Sequence, residues 1–327
     1  MKQVNIIDSL RSFAAISVCL FHFICTTIGL EYPSIMTSVA NYGQHGVLVF
    51  FVISGFIIPW SMYQKKYKLT SLFRFMAKRL IRLEPPYLAS IVLVLLIALI
   101  KTKFLIGAES PEEISAARVG LHFGYLINFF PQYKWLNNVY WTLAIEFQYY
   151  LIMSLLFLLF IHKQLAIRLL AYGLCFAMAY LVPDASHSHF PSYAPLFLFG
   201  IGVFQYQNNR VGMLEFAGVM VACFIYNYLF MGIPAAGFGL ATAMVILFFS
   251  DTRIPVLDWL GKMSYSIYLI HPVIGAAVIN ILSRYAHGAA QKLGVLVAGL
   301  IVTFISSYLM YLLIEKPSKK LSSKLKL

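Results

Sequence analysis

Apolar runs of about twenty residues dominate this chain, and such runs have few ways to fold. A run of that length spans the ~30 Å hydrocarbon core of a bilayer as a helix that satisfies its own backbone polar groups. Ten runs have this character: residues 8–30, 43–62, 85–103, 138–161, 165–182, 193–207, 213–231, 234–250, 263–282 and 293–314. Only 11% of the residues are charged and 61% are hydrophobic, whereas a soluble domain carries about 25% charged residues. The mean hydropathy is +0.79. The sequence therefore predicts an all-α, polytopic membrane protein with about ten transmembrane helices. One membrane domain is expected over residues 1–327, with a basic tail at 316–327. The first run is too long for a removable signal peptide, and it carries Arg11 and His22.

A net charge of +13 would suit a nucleic-acid partner, but its distribution argues against one. An even number of spans puts both ends on one side. Of the 25 Lys and Arg residues, 18 lie in segments on that side, six lie opposite, and Arg11 is inside the first run. Positive charge accumulates on the cytoplasmic side, so both termini are expected there, with the basic tail facing anionic lipid. The long 104–137 connection, which contains Glu109, Glu112 and Glu113, is expected to carry a short re-entrant or surface helix on the outer side. Cys19, Cys25, Cys175 and Cys223 all lie in apolar segments and read as small buried hydrophobes. No metal-ligand spacing, P-loop or dinucleotide fingerprint is present.

Polar residues inside the runs carry the functional signal. Arg11 and His22 are eleven positions apart. On a helix they share a face to within ~20° and stand ~16 Å apart along the axis. A ligand on that face would have its anionic end at Arg11 and its reactive end at His22. The plainer alternatives are that Arg11 snorkels to the interface and that His22 bonds a neighbouring carbonyl. In the second run, Ser54 and Gly55 most simply allow two backbones to approach closely. Ser54 is not in a G-x-S-x-G elbow, so a serine hydrolase has no support.

Arg79 and Arg82, at i and i+3, face the same way. Two guanidiniums suit a pyrophosphate-like polyanion, although a positively charged flank would look the same. Pro85 and Pro86 are expected to break or redirect the chain there. Glu146 is the one carboxylate deep in a run, so it must be paired or protonated. It is expected at the depth of His22, where the two could touch. Tyr149 and Tyr150 follow it, and Tyr265, Tyr268 and His271 repeat at i, i+3, forming one stripe.

Five stretches occur in a telling order: R-x10-H (Arg11, His22), F-F-V-I-S-G-F (Phe50 to Phe56), R-L-I-R-L-E-P-P-Y (Arg79 to Tyr87), W-T-L-A-I-E-F-Q-Y-Y (Trp141 to Tyr150) and S-Y-S-I-Y-L-I-H-P (Ser264 to Pro272). Together they resemble the acyltransferase-3 family of integral membrane O-acyltransferases over nearly the whole chain. The resemblance implies transfer of an acyl group, commonly acetyl, from cytoplasmic acyl-coenzyme A to a hydroxyl of a glycan or another cell-surface or secondary-metabolite acceptor. It matches Arg11 and His22 to the essential pair, Arg79 and Arg82 to a double-arginine motif, and Glu146 to an acidic position. On this reading His22 is the base, oriented by Glu146, and it acts either directly or through an acyl-histidine. Arg79, Arg82, Arg11, Ser54 and Tyr87 hold the donor, and Tyr149, Tyr265, Tyr268 and His271 line the pocket. Acyl-coenzyme A is then a cosubstrate, with no tightly bound cofactor and no metal. The setting is a bacterial plasma membrane, and a homo-oligomer is compatible.

The chain departs from the family pattern in two places. Leu48 stands where members commonly have an acid, and His271 touches Pro272, where many members have an intervening residue. Some members also carry an extracellular hydrolase-like domain for which these 327 residues leave no room, so the acceptor is expected to be handled by the membrane domain or a partner. The rival class is a secondary transporter or proton-coupled exporter, which would use the same intramembrane His, Glu and Arg. A non-catalytic scaffold would leave those residues an unexplained cost.

Overall fold

In hydrocarbon, backbone polar groups have no water to turn to, and the chain responds with helix almost everywhere. The computed structural model describes residues 4–27, 30–104, 114–182 and 189–325. It is 83% helical, with no strand among the described residues. The helices are α1 Ile6–Phe21, α2 Ser34–Asn41, α3 Gly46–Gln64, α4 Leu72–Phe104, α5 Ala116–His122, α6 Tyr140–Phe160, α7 Leu165–Leu181 and α8 Phe190–Gln207. They continue as α9 Met213–Met231, α10 Ile233–Phe248, α11 Pro255–Lys262, α12 Ser264–Ile270, α13 Ala276–Leu282, α14 Ala289–Met310 and α15 Lys316–Lys324. Most of the described residues of each apolar run are helical. Among the described residues, seven helical stretches are long and apolar enough to cross a membrane, while α7 and α10 are apolar but shorter. The protein is a multi-pass membrane protein.

Helix α8 is deeply buried, with 14 of its 18 residues inside. Helix α3 packs directly on it. A Cβ at Gly55 would collide with the carbonyl of Phe197, and one at Gly200 would collide with the carbonyl of Val52. The two backbones therefore touch, as close helix pairs in lipid do through small residues. Aromatic side chains fill the space around this crossing: the Tyr149 and Phe197 rings stack at 4.2 Å, and Phe51 stacks on Phe197 at 4.9 Å.

Pro85 and Pro86 do not break the chain, contrary to the expectation from sequence. Both lie inside the continuous 33-residue helix α4. In lipid, ending a helix frees more backbone groups than two missing donors do, and neighbours can repair the loss. Close by, Tyr265, on α12, donates its hydroxyl to the carbonyl of Leu83 at 3.0 Å and ties α12 to α4.

Within the 104–137 connection, α5 is a short helix as expected, whereas Glu109, Glu112 and Glu113 lie outside the described residues. Arg118 and His122, neither of them singled out from sequence, organise this segment. The Arg118 guanidinium donates to the carbonyls of Lys134 (2.8 Å) and Trp135 (3.2 Å). Buried His122 donates from Nδ1 to the Arg118 carbonyl (2.8 Å) and accepts the Leu136 N–H at Nε2 (3.1 Å). These bonds require the neutral ring, and burial lowers its pKa below the ordinary 6.5.

Among the described residues, three π-helical turns interrupt the α-helices: His22–Thr26, His271–Gly275 and Tyr311–Glu315. Such turns are rare and concentrate at functional sites. Here two open on a histidine and the third closes on a buried glutamate.

Candidate functional site

Residues from six helices and one π-helical turn converge on a cavity of about 300 Å³. Arg11 enters from α1, Ser54 from α3, Arg79 and Arg82 from α4, Glu146 and Tyr150 from α6, Tyr265 and Tyr268 from α12, and Lys319 from α15. Glu315 completes it from the π-helical turn after α14.

The charges in this cavity are unevenly matched. Glu315 is buried, and its Oε2 accepts the Ser266 N–H (3.1 Å) and hydroxyl (2.5 Å). It thus caps the free N–H groups at the start of α12. Its Oε1 lies 2.6 Å from Lys319 Nζ. Glu146 Oε1 accepts hydrogen bonds from Ser54 Oγ at 2.9 Å and Tyr150 Oη at 2.5 Å. Arg11, Arg79 and Arg82 have no carboxylate within ion-pair distance among the described residues. Arg79 is only 8% exposed, lies over the rings of Phe75 (5.2 Å) and Tyr150 (5.6 Å), and leaves Nε without a hydrogen-bond partner. Formally, four cations face two carboxylates. A buried guanidinium left with an open donor is expensive unless something anionic fills the space.

A second cavity of about 290 Å³ lies beyond the first, and Val47 and Tyr268 line both. His22 lines this second space, with Gln44, His45, Asn138, Trp141 and Tyr193. Among the described residues, no Asp, Glu, Lys or Arg lines it. Leu48, where an acid is common in the resembling family, is also part of its wall. Tyr268, in the shared wall, shares a 2.8 Å hydroxyl contact with Thr142 and donates to the Val139 carbonyl at 3.3 Å.

The expected contact between His22 and Glu146 is not made. Glu146 engages Ser54 and Tyr150, while His22 Nδ1 lies 2.9 Å from the Val18 carbonyl oxygen and 3.1 Å from Nε2 of His271. Each histidine opens a π-helical turn, and the two rings lie together with centroids 5.0 Å apart and a 47° tilt, so His22 has its partner in His271 and not in Glu146. Arg11 lies on α1 and His22 opens the π-helical turn that follows it, and the two line different cavities.

Of the residues singled out from sequence, Arg11, Ser54, Arg79, Arg82, Glu146, Tyr265 and Tyr268 meet in the first cavity. Tyr87 does not reach it. That side chain is fully buried against Tyr125 and Tyr140, with its hydroxyl on the His122 carbonyl at 3.3 Å. Tyr149 is packed between Phe190 and Phe197, away from both cavities. His271 is fully buried behind His22 and lines neither cavity. Sequence reading missed Tyr150, Glu315 and Lys319 as lining residues. The signal for the last two was an i, i+4 Glu–Lys pair within a basic tail, which looked like a solvated flank.

An acyltransferase-domain family model, acyltransferase-3, matches residues 4–312 of this chain. The chain belongs to that family. Among curated proteins, the O-acetyltransferase OatA of Staphylococcus aureus strain NCTC 8325 is 26% identical over 359 residues, covering 96% of this chain and 57% of that protein. OatA of strains COL and MRSA252 gives the same identity and coverage. The chain thus spans a little over half the length of the curated relatives it matches. No solved structure matches it.

Proposed function

We propose that this member of the acyltransferase family is a membrane O-acyltransferase that moves an acyl group, most simply acetyl, from acyl-coenzyme A to a hydroxyl acceptor. The observation that carries the reading is the first cavity, where three guanidiniums lack carboxylate partners and Arg79 keeps an open donor. Coenzyme A is a polyanion, and guanidiniums bind phosphate oxygens bidentately. Arg11, Arg79, Arg82 and Lys319 would hold the phosphates. The thioester would then extend toward the wall formed by Val47 and Tyr268, with His22 beyond it. The charge distribution along the chain favours a cytoplasmic mouth for this cavity, with both termini on that side of a bacterial plasma membrane.

The second cavity suits the acceptor. Its aromatic and amide side chains and lack of fixed charge match a neutral polyol such as a sugar ring. The relatives are O-acetyltransferases by name, which agrees with a hydroxyl acceptor.

In the reaction, His22 removes the acceptor hydroxyl proton as the oxygen attacks the thioester carbonyl carbon. The C–O bond forms, the C–S bond breaks, and the sulfur leaves with the proton that His22 returns. The products are an ester and free coenzyme A thiol. A positioned base of this kind contributes about 10²–10⁴-fold. Glu146 serves the donor side, holding Ser54 and Tyr150 and partly offsetting the arginines.

Calorimetric titration of the protein in nanodiscs with acetyl-coenzyme A tests the donor site without knowledge of the acceptor. Saturable binding that weakens more than tenfold (over ~1.4 kcal/mol) in the Arg79→Ala/Arg82→Ala double variant is expected. Absence of binding by well-folded wild-type protein would overturn the reading in favour of a transport path.

A further inference from the structure

His22 and His271 form a chain of hydrogen bonds in which each proton has one consistent place. A carbonyl oxygen can only accept. His271 Nδ1 lies 3.1 Å from the carbonyl of Ile267, so Nδ1 carries the proton and Nε2 presents a lone pair. That lone pair is 3.1 Å from Nδ1 of His22. The same His22 atom lies 2.9 Å from the Val18 carbonyl, a second group that can only accept. His22 Nδ1 therefore carries its proton and shares it between two acceptors. In a neutral ring the lone pair must then sit on Nε2, which has no protein partner among the described residues, while the His22 ring borders the second cavity.

Val18 alone favours the same tautomer, but its carbonyl also receives the backbone N–H of His22. His271 adds a second acceptor at the same nitrogen, so the Nδ1 proton is held by two groups. His271 is itself immobile: it is fully buried, anchored at Nδ1, and followed by Pro272 in a π-helical turn. The carbonyl of His22 is held in turn by the hydroxyls of Thr26 (2.8 Å) and Thr27 (3.2 Å).

We propose that His271 is a positioning residue that acts through His22, keeping the His22 proton on Nδ1 so that Nε2 is the basic atom presented to the acceptor hydroxyl. When Nε2 takes that proton, the Nδ1 proton stays where it was, between Val18 and His271. The positive ring is thus stabilised by a neutral acceptor in the place where many hydrolytic sites use a carboxylate. No net charge is buried beside the base in the resting state. The role in catalysis rests on the acyltransferase reading, whereas the tautomer does not.

The first measurement is ¹⁵N NMR of histidine-labelled protein in nanodiscs, with the His22 signals assigned by their loss in His22→Gln. A neutral His22 protonated at Nδ1 is expected, and protonation at Nε2 would overturn the proposal even if the protein proved to have no transferase activity. The second is kinetic and uses two variants of similar volume. His271→Gln keeps an acceptor oxygen toward His22 and should retain kcat within about tenfold. His271→Phe keeps the shape but offers no acceptor, and should lose about thirtyfold or more in kcat with the acetyl-coenzyme A KM unchanged. Equal losses in both variants, or full activity in His271→Phe, would overturn the positioning role. A wild-type protein that shows the expected tautomer but transfers no acyl group would defeat the acyltransferase reading instead.

Discussion

Ser54 and Glu146 stand 92 positions apart in the sequence and meet at 2.9 Å, with the serine hydroxyl donating to Oε1 of the carboxylate. The Tyr150 hydroxyl reaches the same oxygen at 2.5 Å. One carboxylate thus ties α3 to α6 at the rim of a cavity otherwise rich in guanidinium groups. Glu146→Gln keeps an acceptor oxygen but removes a negative charge from the path of a polyanion. We expect its KM for acetyl-coenzyme A to fall and its kcat to change less than about tenfold. Glu146→Ala removes the acceptor altogether and should destabilise the fold by about 1–3 kcal/mol. Steady-state kinetics and thermal unfolding in detergent distinguish these outcomes.

Lys319 reaches the cavity from α15, paired with Glu315, and donates to the Lys262 carbonyl at 2.7 Å. Its side chain is 32% exposed, so solvent weakens its contribution. Lys319→Ala should raise the donor KM about threefold with kcat nearly unchanged, the signature of binding energy expressed equally in ground and transition states. A fall in kcat at constant KM would instead place Lys319 near the reacting atoms.

Gly55 and Gly200 are the two points where α3 and α8 meet backbone to backbone. A leucine at either position cannot be absorbed by a side-chain shift, because the obstacle is a carbonyl group. Gly55→Leu should cost about 3 kcal/mol or more, visible as loss of monodisperse protein by size-exclusion chromatography. Leucine at Gly173 or Gly218, where an added Cβ meets nothing within 4 Å, is the control and should be tolerated.

His122 predicts a pH dependence of stability separate from any catalytic effect. Burial holds its folded pKa below 6.5, while the unfolded chain titrates at the ordinary value. Above that pH both states are neutral and His122 adds no slope. As the pH falls below 6.5 the unfolded state gains a proton that the native state refuses, so stability declines toward the folded pKa. Thermal unfolding between pH 7 and pH 5 should show this slope in the wild type and a shallower one in His122→Gln.

Much of the helical framework was legible because period and length are local properties. Ten apolar runs became helices, and the i, i+3 spacing of Arg79 and Arg82 placed both guanidiniums in one cavity. What escaped was whatever depended on contacts between distant segments. The partner of His22 lies 249 positions away, and nothing in the spacing of α1 indicates that the ring just past its end meets His271, in the π-helical turn after α12. Pro85 and Pro86 were misread because a rule learned from water was applied in lipid, where interrupting the helix costs more than bending it. Tyr149 and Tyr150 are adjacent and therefore on different faces of α6, so only Tyr150 reaches the cavity. A choice of one of the two from sequence needed knowledge of which face α8 covers.

The first cavity takes Arg11 from the first span and Lys319 from α15, 308 positions later. This separation sets an order in biosynthesis. The Arg11 guanidinium meets the membrane while the ribosome has yet to make Glu146, Glu315 or Lys319. During that interval α1 must keep its charge at the interface, and it can sink to its final depth only as later helices arrive. A nascent chain therefore already holds His22 but has no finished pocket for a polyanion. The pocket closes only once α15 has been made and docked, so nearly the whole length of the chain must be translated before the cavity has all its walls.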